Sequence, residues 1–145
     1  MVKMENFTFS LQKVLEYRMQ VEDQVKAQFA QIVAAENQQS SLLDEVVQEK
    51  NAMMETPQRS LGRMQVTRRY LMALNEQIML CRQQLLELGS QKEEVRAQLI
   101  EAQKQRKVLE RLKAKQLTAF KKELAVDQQK QLDDFHRPKQ LLGVN

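Results

Sequence analysis

ETPQRSLG, Glu55 to Gly62, is the stretch that decides the fold. It holds one of the two prolines and one of the three glycines in 145 residues, and no other glycine or proline precedes it. Glycine costs about 1 kcal/mol and proline about 3 kcal/mol in a helix interior, so their absence leaves the preceding chain without the usual breakers. After Gly62 a single glycine, Gly89, interrupts the run to Arg137. The pattern predicts two long helices joined by a short turn: helix 1 over about 10–54, a turn over 55–62 and helix 2 over 63–136. Thr56-Pro57 would supply the cap and first residue of helix 2, with Gly62 as an alternative loop residue. Arg137-Pro138 would end it, because a residue before proline disfavours the α region, and 137–145 would form a flexible tail.

Outward from the break, apolar residues recur at spacings of three and four. In the first segment the series is Leu11, Val14, Arg18, Val21, Val25, Gln28, Ile32, Ala35, Gln39, Leu42, Val46, Glu49 and Met53, with Leu15, Phe29, Leu43 and Val47 widening one side. In the second it runs Leu71, Leu74, Ile78, Cys81, Leu85, Leu88, Lys92, Val95, Leu99, Ala102, Arg106, Leu109, Lys113, Gln116 and Phe120. This is the spacing of a coiled-coil seam. A short connection makes the two helices antiparallel neighbours, with Leu11 expected near Leu109. The fold expected is therefore all-α: two long antiparallel helices forming a coiled-coil hairpin, a single unit over 1–145, with the second helix longer and overhanging. The overhang keeps Leu112, Leu117, Phe120, Leu124, Leu132 and Phe135 among lysines, an apolar stripe that suits a protein partner.

Composition narrows the function. The chain has no Trp, five Phe, two Tyr and 29% charged residues, little material for a globular core. No apolar stretch is long enough to span a membrane, and MVKMENFTFS lacks the apolar core of a secretory signal, so a cytosolic protein is expected. Cys81, the only cysteine, excludes an internal disulfide and falls on the seam as a small buried apolar residue. His136, the sole histidine, stands beside Pro138 near the end, where an exposed role is expected. No phosphate-cradling glycine loop or calcium loop is present, and a two-helix hairpin offers no water-excluding cleft, so neither an enzyme nor a cofactor is expected.

Charge is unevenly spread. Residues 1–60 carry 6 basic and 9 acidic side chains, 61–105 carry 7 and 5, and 106–145 carry 10 and 5. The basic excess in KQRKVLERLKAK (Lys104 to Lys115) and at Lys121-Lys122 suits an acidic protein surface or a nucleic acid. A basic zipper places its basic region before the leucine repeat, whereas here it follows most of the repeat.

FTFSLQKVLEYR (Phe7 to Arg18) resembles the opening of the FliJ family of flagellar export proteins, where F-x-F-x-L-x-x-V/L-L-x-x-R leads into the first helix. RMQVTRRYLMALNEQIMLCRQQL (Arg63 to Leu85) resembles the start of that family's second helix. KQRKVLERLKAKQ (Lys104 to Gln116) and QKQLDDF (Gln129 to Phe135) resemble its basic stretch and late acidic-aromatic element. The resemblance implies a stalk-like coiled coil without a cofactor, similar to the central stalk of rotary ATPases. It implies binding to the hexameric export ATPase FliI, contact with the export gate membrane protein FlhA, and escort of export chaperones for late filament components. The implied place is cytoplasmic, peripherally associated with the inner membrane at the flagellar base. Gln38, Leu42, Tyr70, Leu74 and Cys81 map to the family's gate-facing surface. Arg106, Lys107, Arg111, Lys113, Lys115, Lys121 and Lys122 are the candidates for acidic loops inside the ATPase ring. A stalk of a virulence type III secretion system is the near alternative, and a basic coiled coil that binds nucleic acid the distant one.

Overall fold

A computed structural model describes residues 6–144, with side chains for 6–136. Two helices account for nearly all of it: α1, Gln12–Glu55, and α2, Leu61–Val144. The chain divides into two compact units, and each helix contributes to both. Unit 1 comprises Met1–Glu22 with Ala102–Asn145, and unit 2 comprises Asp23–Glu101.

The turn in unit 2 differs in detail from the expected one. The Thr56 hydroxyl does not cap α2; it donates back to the Ala52 carbonyl at 2.8 Å, on the last turn of α1. Ser60 is the cap instead: its Oγ accepts the Arg63 N–H at 3.2 Å and its carbonyl accepts the Met64 N–H at 3.0 Å. A serine three residues before the bonded amide satisfies one of the orphan donors of a helix start, which threonine followed by proline does not do here. Gly62 accordingly lies inside the first turn of α2 rather than in the loop.

Unit 2 is a two-helix seam with an apolar centre. Val46, Leu74 and Ile78 are buried, with Leu43, Val47, Met53 and Leu71 packed against them. Cys81 is buried beside this cluster in sequence, as its seam position requires. The helices run antiparallel: Tyr70 bonds to Glu49, Lys92 pairs with Glu36 at 2.9 Å, and the Arg96 guanidinium lies 5.9 Å from the centre of the Phe29 ring.

Unit 1 pairs the start of α1 with the later part of α2. In the segment before the helix Phe9 is buried and Phe7 and Leu11 are half-buried, whereas Thr8 and Ser10 are exposed. The Phe7 ring meets the Phe120 ring at 5.3 Å, tilted by 48°. The Gln12 N–H then donates to the Phe9 carbonyl at 3.0 Å and α1 begins. Lys113 Nζ donates to Gln12 Oε1 at 2.8 Å, so the partner of this end of α1 lies about one turn beyond the expected Leu109. Past Phe120, α2 continues without α1 beside it, which is the overhang.

The seam of α2 falls where the spacing puts it from Leu71 to Lys113, with Gln116 exposed beyond, whereas that of α1 departs from the expected spacing at four positions. Arg18, Val25, Ile32, Gln39, Val46 and Met53 are shielded as expected. Between them Val21 and Ala35 are shielded as expected, together with Leu15, Glu22, Phe29, Glu36, Leu43 and Lys50, whereas Val14, Gln28, Leu42 and Glu49 are exposed. The first step from Leu11 is four residues, not three. Leu15 and Phe29 fill the seam better than the smaller Val14 and the more polar Gln28, and Glu22 and Glu36 enter it because each meets a base on α2.

The expected end at Arg137-Pro138 also gives way, since α2 includes Pro138 and runs to Val144. Proline removes one N–H and disfavours the α region at Arg137 without forbidding it, and Gln140, Leu141 and Leu142 are good helix formers. Of the expected tail, only Asn145 lies outside the described residues.

Candidate partner-binding surfaces

The five gate-facing candidates all lie in unit 2, on two levels. Leu74 and Cys81 are each 4% exposed and face α1 from within the seam. Gln38, Leu42 and Tyr70 are on the surface, Leu42 at 37% and Tyr70 at 42% exposure. Gln38 and Leu42, four residues apart, share one face of α1. Gln38 also lines a shallow cleft of about 260 Å³ with Ala35, Gln39, Gln84, Glu87 and Leu88. In its wall Gln39 keeps a buried Oε1 with no hydrogen-bond partner. The Tyr70 hydroxyl donates to Glu49. That carboxylate, with some burial of the ring and the negative charge nearby, holds the phenol above its ordinary value of 10.0. Tyr70 is thus fixed at the edge of the hairpin, with Arg68 and Arg69 exposed beside it.

The seven basic candidates in unit 1 separate into two groups. Arg106 and Lys113 face α1. Arg106 bonds to Glu22, which is 3% exposed, and to Glu110 at 2.8 Å. Those two carboxylates, Glu110 first, hold its guanidinium above its usual range. Lys113 is engaged by Gln12. Both therefore hold the two helices in register, and neither presents a free cation outward.

The other five, Lys107, Arg111, Lys115, Lys121 and Lys122, are exposed. With 3.6 residues per turn, Lys107, Arg111, Lys115 and Lys122 fall on one face of α2, opposite the seam residues Ala102, Leu109 and Phe120. Lys104, also exposed, extends that stripe by one turn. It was not among the sequence candidates, although its spacing of three and then four to Lys107 and Arg111 is visible in the sequence. Glu110 and Glu123 stand off to the sides, so no carboxylate interrupts the stripe.

Among the described residues no group of three or more His, Cys, Asp or Glu could hold a metal ion, and no helix is long and apolar enough to cross a membrane. Neither the curated proteins nor the solved structures contain a match to this chain. The model of one protein family, described as the flagellar FliJ protein, matches residues 7–138. That span takes in the Phe7–Phe9–Leu11 entry, both paired regions and the basic stripe, and the chain belongs to the FliJ family of flagellar proteins.

Proposed function

We propose that this flagellar export-related protein is a stalk-like coiled coil whose unit 1 enters the ring of the hexameric export ATPase. The observation that carries this reading is the acid-free stripe of Lys104, Lys107, Arg111, Lys115 and Lys122 on the outward face of α2. A helix that docks in an acid-lined channel needs cations facing away from its own seam, and this stripe supplies them. Charge arranged in this way steers association and loses effect as salt rises. The overhang past Phe120, with Val126, Leu132 and Phe135 exposed, adds apolar surface for the same channel.

In the same reading the exposed Gln38, Leu42 and Tyr70 of unit 2 contact the membrane export gate, with Leu74 and Cys81 supporting them from beneath. Export chaperones are further partners, and the site of action is the cytoplasmic face of the inner membrane at the flagellar base.

The test is binding and stimulation of the purified hexameric export ATPase by the full chain. Replacing Lys107, Arg111, Lys115 and Lys122 together by Glu should lower affinity at low salt by about tenfold or more while leaving helicity unchanged. Unchanged stimulation by that variant at low salt would reject the ATPase-ring assignment. A loss of affinity for DNA, with a steep salt slope and no effect on the ATPase, would instead move the stripe to nucleic-acid binding.

A further inference from the structure

The turn end of unit 2 exposes apolar side chains in several directions at once. Met54, on the last turn of α1, is 63% exposed; Leu61, which opens α2, is 73% exposed. Met64 and Val66 follow at 50% and 67%. With 3.6 residues per turn, Leu61 turns away from the seam residues Leu74 and Ile78, while Met64 and Val66 fall to opposite sides of it. Helix pairing covers none of the four.

The same end is basic. Thr56 to Asn75 holds four arginines, Arg59, Arg63, Arg68 and Arg69, all exposed, and no carboxylate; Glu55 alone precedes them at the end of α1. Arg59 and Arg63 line a shallow cleft of about 470 Å³ with Pro57 and Ser60. Arg68 and Arg69 stand two turns further along α2, roughly 10 Å from Leu61 along the axis.

These two features together choose the occupant. A docked protein face or a nucleic-acid backbone meets one side of a helix end, whereas these apolar residues are spread around it. The interfacial zone of a bilayer surrounds what enters it and offers both chemistries required. Its acyl boundary takes the apolar residues, and its phosphates take the arginines, whose long stems let the guanidinium reach back to the headgroups. Guanidinium forks bind phosphate oxygens in pairs, and four cations against one carboxylate select an anionic lipid over a neutral one.

We propose that the turn end of unit 2 inserts shallowly into an anionic lipid bilayer. Met54, Leu61, Met64 and Val66 reach the acyl boundary, and the four arginines bind lipid phosphates. The contact is with lipid itself, so it goes beyond the gate contact at Gln38, Leu42 and Tyr70. Vesicles hold neither gate nor ATPase, and the lipid contact therefore stands or falls independently of both.

Flotation of the full chain with vesicles containing phosphatidylglycerol, beside vesicles of phosphatidylcholine alone, tests it. Binding should be about tenfold or more tighter to the anionic vesicles and should weaken as salt rises. The basic stripe of unit 1 is a second cationic surface, so the location is read at the turn. The chain has no tryptophan, and Leu61→Trp supplies a single reporter there. Its emission should shift to the blue on anionic vesicles and be quenched by brominated acyl chains. Leu61→Asp with Met64→Asp, or Arg68→Gln with Arg69→Gln, should weaken vesicle binding about tenfold or more at unchanged helicity. Replacing Lys107, Arg111, Lys115 and Lys122 by Glu should leave the blue shift of the reporter in place. Equal affinity for anionic and neutral vesicles would overturn the proposal, as would a reporter that anionic vesicles do not shift. Vesicle binding that is lost with the unit 1 variant and indifferent to the turn variants would also overturn it. So would an affinity for duplex DNA that needs the four arginines but not Leu61 and Met64, in a chain that does not bind vesicles.

Discussion

Unit 2 and unit 1 use the same two-helix geometry with a different balance of apolar and polar contacts at the seam. Unit 2 adds the polar contacts Lys92–Glu36 and Tyr70–Glu49 to its apolar cluster. Unit 2 is centred on Val46, Leu74 and Ile78, an apolar cluster with four more apolar residues packed around it. Unit 1 is crossed by polar contacts: Lys113 to Gln12, the Arg18 guanidinium to Gln105, and Arg106 to Glu22, with the aromatic contact of Phe7 and Phe120 at one end. Apolar burial stabilises without direction, whereas a polar seam contact fits one register only. The difference assigns most of the stability to unit 2 and much of the register specificity to unit 1. Outward faces differ as well, with methionine and leucine in unit 2 and lysine in unit 1.

The comparison breaks most sharply at Leu74. Leu74→Ala removes a side chain from the centre of the buried cluster. Its loss should cost about 2–3 kcal/mol, toward the lower end for buried leucines because a two-helix seam relaxes more readily than an enclosed core. Thermal unfolding followed by circular dichroism should show a drop of several degrees. A change within the error of the melt would mean that unit 2 does not carry the stability assigned to it.

A smaller effect is expected at Glu22. Glu22→Ala leaves Arg106 without its buried partner, but Arg106 keeps Glu110, so the melt should fall less than for Leu74→Ala. Replacing Glu22 and Arg106 together by leucine should restore or raise the melting temperature, because a buried ion pair often gives way to apolar packing without loss. The variant should then populate shifted pairings, seen as broadened cross-strand contacts in spin-label distance measurements between α1 and α2. Sharp single distances in the double variant would remove the register role from this pair.

The same contrast explains what the sequence made legible. Two helices follow directly from the placement of Pro57, Gly62 and Gly89, and the α2 seam is readable because Leu74, Ile78, Cys81 and Leu85 are apolar and strictly spaced. The α1 seam is not, since Glu22, Glu36 and Lys50 stand where apolar residues are sought. The place of Glu22 and Glu36 there depends on Arg106 and Lys92, far away in sequence, and a count of apolar positions has no access to such partners. For the same reason Arg106 and Lys113 look like surface cations until their partners Glu22 and Gln12 are known. Lys107, Arg111 and Lys115 needed no partner to be recognised as an exposed basic face. Ser60 is a different case: its capping signal competes with Thr56-Pro57 in one short stretch, and only the hydrogen bonds separate them.

The smallest stability effect is expected at Tyr70, which joins the two themes by bridging the helices with a polar bond at an apolar edge. Tyr70→Phe removes only the hydroxyl that donates to Glu49, an exposed contact, so the melt at neutral pH should hardly change. Alkaline pH separates the two proteins. The phenol is held above 10.0 in the folded chain, so between its unfolded and folded values the folded state binds more protons than the unfolded one. The contribution is present in full below about pH 10 and disappears as pH rises through the raised value. Wild-type stability should therefore fall toward that of Tyr70→Phe over this alkaline range, and parallel pH curves would show that the Glu49 bond does not form in solution. Tyr70→Ala asks the functional question. With 42% of Tyr70 exposed, loss of the ring should lower the melt much less than Leu74→Ala, while binding of the export gate falls if the ring is an anchor. A melt lowered as far as that of Leu74→Ala, with gate binding intact in the folded fraction, would make Tyr70 part of the seam and leave Gln38 and Leu42 as the remaining gate candidates.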